Sequence, residues 1–99
     1  MSDGRVRLRL FVDYGYTWPL EDFMWPAEER PDWNALLPAE LIARLEEWAR
    51  FFTKHANEET GSFGTEDRRR WFDLEGVRLH NELLDRVGDQ FDIRLELWF

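Results

Sequence analysis

The sequence predicts an α+β fold: first and last strands side by side in a small antiparallel sheet, with an α-helical hairpin packed on one face. The order is strand, loop or short edge strand, helix, helix, strand, in one domain over residues 1–99. Three observations predict it. Gln90–Phe99 (QFDIRLELWF) places Phe91, Ile93, Leu95, Leu97 and Phe99 at every second position, the period of a strand with one buried face. Arg5–Tyr14 alternates too, with Val6, Leu8, Leu10 and Val12 on one side and Arg5, Arg7, Arg9, Phe11 and Asp13 on the other. Between these ends lie two long segments whose apolar residues recur three and four apart, as on the buried stripe of a helix.

The outward positions of the two strands agree in charge. Arg5, Arg7 and Arg9 stand against Asp92 and Glu96, and opposite charges on neighbouring strands contribute about 0.2–1 kcal/mol per pair. Phe11 and Trp98 are expected to meet on the same outer face.

Tyr14–Asn34 (YGYTWPLEDFMWPAEERPDWN) is punctuated by Pro19, Pro26 and Pro31, so it reads as a long ordered loop. A short edge strand around Trp18–Phe23 fits only if Pro19 sits at its start or turns its nitrogen to solvent. Ala39–Ala56 is a helix: Pro38 suits the first turn, and Leu41, Ile42, Leu45, Trp48, Ala49 and Phe52 form its stripe. Glu40–Arg44 and Glu46–Arg50 read as supporting pairs on its wet side. Asn57–Gly64 is a loop. Glu66–Val87 is the second helix, capped by Thr65, with Phe72, Gly76, Leu79, Leu83 and Val87 inward in a stripe widened by His80 and Leu84, and Gly88 ends it. Gly76 in mid-helix implies close approach by another element. Two strands alone make a marginal sheet. Either the Trp18–Phe23 segment adds a third strand, or a second copy pairs edge to edge as a homodimer.

The 99 residues carry a formal net charge of -8, with 43% hydrophobic and 16% aromatic residues, which describes a folded, acidic chain. Such a chain is repelled by nucleic acid backbones and anionic membranes, so neither is an expected partner; a basic protein surface is. No stretch approaches the ~20 apolar residues of a membrane span. The N-terminus lacks a leader-like apolar run, and a cytoplasmic location is expected.

Motifs for chemistry are missing. The sequence has no Gly-rich phosphate loop, no H-E-x-x-H and no nucleophile elbow. With no Cys, disulfides and thiolate sites are excluded. His80 beside Leu79, Leu83 and Leu84 reads as a satisfied, half-buried histidine, and His55 as a helix-end cation. No ligand spacing supports a metal site, and no cofactor is expected. Arg68, Arg69 and Arg70 form a dense basic run that Glu66, Asp67 and Asp73 can neutralise. The chain is not expected to be an enzyme.

The strongest functional candidate is the segment Tyr14–Trp33. Glu21, Asp22, Glu28, Glu29 and Asp32, against Arg30 alone, make it acidic, and Tyr16, Trp18, Trp25 and Trp33 give it aromatic anchors. Anchors ringed by charge are what protein interfaces use, and those nine residues are the expected partner-binding set. The competing reading is that the aromatics fold back to seal a small core.

The pattern DYG (Asp13–Gly15), WPL (Trp18–Leu20) and LPAEL (Leu37–Leu41), ahead of a Trp-bearing amphipathic helix, resembles a group of short uncharacterised bacterial proteins. The resemblance covers the first half of the chain and implies no activity. It implies that Asp13, Tyr14, Gly15, Trp18, Pro19 and Leu20 form one unit.

The reading that follows is a small, acidic, non-enzymatic interaction protein that binds and inhibits or masks a basic protein partner. Immunity proteins, antitoxins and phage-encoded inhibitors have this size and charge. The alternative is a homo-oligomeric small-molecule-sensing or accessory domain, with a pocket between helices and sheet near His80, Tyr14 and Trp48.

Overall fold

A computed structural model of the chain describes residues 5–13, 16–55 and 65–96. The expected strand positions Tyr14 and Leu97–Phe99, the helix end at Ala56 and the loop over 57–64 lie outside the described residues, as does the expected Phe11–Trp98 contact.

The sheet has two strands, β1 (Val6–Leu10) and β2 (Phe91–Leu95), and they run parallel, not antiparallel. Val6 pairs with Phe91, Leu8 with Ile93 and Leu10 with Leu95. The cause is one extra reversal of the chain. After β1 the backbone doubles back: Leu20 forms an antiparallel bridge with Leu10, and the Phe11 N–H donates to the Pro19 carbonyl at 2.8 Å. By Trp33 it has returned to the starting end of the sheet, where the Trp33 and Phe91 rings lie 5.3 Å apart. A helical hairpin that starts from that end delivers β2 in the same direction as β1.

No third strand forms among the described residues. Pro19 has no N–H to give a ladder, and the chain passes after Leu20 into a 3-10 turn, Glu21–Met24. A second 3-10 turn, Ala27–Glu29, and the one-turn helix α1 (Trp33–Leu36) complete the connection.

The helix α2 (Ala39–His55) and the helix α3 (Glu66–Val87) pack antiparallel, as their cross-contacts show. Phe51 meets Trp71, Trp48 stacks on Phe72 with centroids 4.6 Å apart, and Arg44 reaches Glu75 and Glu82. Leu41, Leu45, Trp48, Ala49 and Phe52 on α2, and Phe72, Gly76, Leu79, Leu83 and Val87 on α3, are buried as predicted, but Ile42 and His80 are only half-buried and Leu84 is exposed, because the helices pack along a narrower stripe than the spacing implies. Thr65 caps α3, its Oγ1 accepting from the Arg68 N–H at 3.2 Å. Leu8, Leu10, Leu20, Trp33, Phe91 and Ile93 complete one core.

Two charge assignments change. Arg44 does not pair with Glu40; it bridges to α3, donating to Glu75 at 3.1 Å and to Glu82 at 2.5 Å, because the helix hairpin brings two carboxylates within reach of its fork. On the sheet's outer face the expected pairing of Arg9 with Glu96 is present, but the parallel register sets Arg9 directly beside Arg94 and Arg9 also turns to Glu21.

The outer edge of β2 is closed in its middle. Gln90 and Glu96 bond to β1, so Phe91, Ile93 and Leu95 direct their backbone groups outward. The Ile93 carbonyl accepts from the His80 Nε2–H at 2.7 Å.

Candidate functional site

The segment 16–33 is organised by one carboxylate. Asp22 is fully buried, the one buried charged side chain among the described residues. Trp18 lies four residues before it, and the 3-10 turn that follows extended Leu20 brings Asp22 within reach of the Trp18 indole. Trp18 Nε1 donates to Oδ1 at 2.9 Å, Trp33 Nε1 donates to Oδ2 at 2.9 Å, and Arg30 Nε donates to Oδ2 at 3.2 Å. A carboxylate taken out of water costs several kcal/mol unless it is paired and hydrogen-bonded, and here all three needed donors come from the same loop. The Asp22 cluster ties both ends of the segment together. The Trp18 and Trp33 rings sit 6.1 Å apart across it.

The outer side of the segment is different. Arg9 donates to Glu21 at 2.9 Å and to Glu96 at 3.3 Å, and its guanidinium lies 4.8 Å from the Phe11 ring centroid. The Glu21 hydrogen bond, followed by its charge, raises the Arg9 pKa above its ordinary value. Phe11 and Tyr16 both pack on Phe23, at 5.9 and 4.4 Å.

The nine expected site residues therefore separate into three groups. Asp22 and Trp33 face inward and hold the loop together. Tyr16, Glu28, Glu29 and Asp32 are exposed, while Trp18, Glu21 and Trp25 are half-buried at the margin. None of Glu28, Glu29 and Asp32 has an ion-pair partner among the described residues. A groove of about 290 Å³ opens beside them, lined by Trp18, Arg30, Trp33, Asn34, Ile42 and Glu46.

The Asp22 cluster was the feature that residue-type counting missed, because it scored Asp22 as one more surface acid. The available signal was an Asp four residues after a Trp, with Arg30 and Trp33 following as further N–H donors and prolines holding the loop compact.

Elsewhere the chemistry is structural. Trp48 and Phe72 are fully buried and stack where the alternative reading placed a pocket, and Trp48 Nε1 donates to the Phe72 carbonyl at 2.9 Å. Tyr14, the third residue of that expected pocket, lies outside the described residues. His80 is committed to Ile93. His55 packs on Phe51 at 4.5 Å, and burial, with Arg68 and Lys54 nearby, holds its pKa below the ordinary histidine value. In the basic run, Arg69 lies 3.9 Å from Asp73. No group of three or more potential metal ligands occurs among the described residues. No helix among them is long and apolar enough to cross a membrane.

Residues 6–95 match the model of a family described as Serratia CdiI immunity protein-like. No curated protein and no solved structure matches the chain.

Proposed function

The chain belongs to the Serratia CdiI immunity protein-like family, and on that premise we propose that it is the immunity partner of a toxin, which it neutralises by binding. The family match spans both strands and both long helices, so it concerns the whole fold. The toxin surface it covers is basic, and the contact is made by the exposed side of residues 16–32.

One observation carries the assignment of that surface: three solvent-facing carboxylates without ion-pair partners among the described residues, on a loop that the Asp22 cluster already holds in shape. Unpaired carboxylates attract a basic partner over a distance and speed encounter, more than they add final affinity. A loop ordered before binding loses little conformational entropy on docking. Exposed Tyr16 and the margins of Trp18 and Trp25 then supply the apolar contact that charge alone does not. On this reading the protein works by occupancy and performs no chemistry of its own.

The reading is tested by producing the toxin in cells with and without this chain, and by titrating the purified pair calorimetrically. Protection accompanied by a saturable complex is the expected result. Absence of a complex at high micromolar concentration would remove it.

A further inference from the structure

The large apolar side chains exposed among the described residues include Trp71, Leu74, Val77 and Leu84, all on α3. Trp71 is turned against Phe51, with ring centroids 4.5 Å apart. Leu74, Val77 and Leu84 have no such cover. With Asn81 they are spaced three, four and three residues apart, which puts them on one face, turned away from the buried stripe of Phe72, Gly76, Leu79 and Leu83. The corresponding outward positions of α2 are Ala43, Glu47, Arg50 and Lys54, an ordinary wet face.

Charge identifies what covers this stripe. A chain of net charge -8 resists meeting a copy of itself through an acidic surface. Helix α3 is close to balanced instead, with five arginines against six carboxylates over Glu66–Val87. Arg78 and Asp85 have no ion-pair partner among the described residues. The helix therefore offers a basic toxin almost no excess of carboxylates. We infer that a second copy of this chain docks here, the two α3 helices lying parallel and in register with Leu74, Val77, Asn81 and Leu84 as the shared seam.

That arrangement has the spacing of a short coiled coil, with a polar Asn at one seam position, which fixes register at some cost in stability. It places Asp73 of one copy near Arg78 of the other, five residues along, the spacing at which flanking charges pair across such a seam. Two heptads would not hold a pair of isolated helices together, but α3 is already folded by its packing on the core, so no helix must form on association. The edge of β2 is a poorer site, since the His80 side chain already sits on it. The dimer uses none of residues 16–32 and is independent of the toxin reading.

Sedimentation equilibrium from low micromolar to millimolar concentration tests it. The native chain should pass from the mass of one chain towards that of two. Leu74→Glu and, separately, Val77→Lys should each raise the dissociation constant by about tenfold or more, with far-UV circular dichroism unchanged because both positions are exposed. As the chain has no Cys, Asn81→Cys provides a clean cross-link. Under oxidising conditions it should form a disulfide-linked dimer much faster than Glu47→Cys on α2. A native chain that stays monomeric throughout, or a dimer that neither α3 substitution weakens, overturns the inference. Equal cross-linking at Asn81 and Glu47 overturns α3 as the seam.

Discussion

The Trp33 indole N–H donates to the Asp22 carboxylate at 2.9 Å inside the protein, where neither side chain has appreciable access to water. That contact joins the segment 16–33 to the core, because the Trp33 ring also packs on Phe91 at the start of β2. Surface and scaffold are thereby one object.

Asp22→Ala should consequently cost far more than the loss of a surface acid. It leaves the Trp18 and Trp33 N–H groups and Arg30 without their acceptor, and the expected destabilisation is roughly 2–4 kcal/mol. Urea unfolding followed by tryptophan fluorescence measures it. Glu28→Ala, in the same segment but exposed, should stay within about 0.5 kcal/mol of the native chain.

The strand pairing can be tested with cysteines placed in a chain that has none. Arg7 lies opposite Asp92 in the parallel register. The double substitution Arg7→Cys and Asp92→Cys should form an intramolecular disulfide readily on oxidation, as neighbouring-strand Cβ atoms are close enough. Arg7→Cys with Glu96→Cys should do so much more slowly, since that pair is offset by four residues along the strands. Unpaired thiols are counted by mass after alkylation.

Leu45→Ala should remove roughly 2–5 kcal/mol, the usual cost of truncating a fully buried leucine. Arg44→Ala, at a half-exposed bridge between α2 and α3, should cost about 1 kcal/mol. Thermal unfolding of the two variants side by side tests the ranking.

His55 supplies a pH dependence with a definite sign. Its folded pKa lies below the ordinary 6.5, chiefly through burial and then through Arg68 and Lys54. As pH falls through 6.5 the unfolded chain takes up the proton first, so this contribution to stability is complete above that pH and is lost as pH drops through the folded value. His55→Gln should flatten the stability profile on the acid side of neutrality relative to the native chain.

How much of this was legible in advance depended on whether the deciding term was local. Helix periodicity is local, so Glu66–Val87 and the inward stripe from Leu41 to Phe52 could be read from spacing alone. Alternation located Val6–Leu10 and Phe91–Leu95 for the same reason. Strand direction is not local. It turned on whether Phe11–Pro38 reverses the chain once or twice, and the Leu10–Leu20 bridge that decides it has no periodic signature. Asp22 was misjudged similarly, because its burial depends on three donors arriving from Trp18, Arg30 and Trp33 together. The balanced apolar face of α3 was visible as residues but not as a surface until the core side of the helix was known.

The most direct test of the account is the salt dependence of association with the toxin, measured by stopped-flow for the native chain and for the double variant Glu28→Lys, Glu29→Lys. If the carboxylates on residues 16–32 steer a basic partner, the native association rate should fall steeply as ionic strength rises, and the variant should associate about tenfold or more slowly at low salt with a flattened dependence. Identical rates and identical salt slopes for the two chains would contradict the claim that this acidic loop is where the toxin is met.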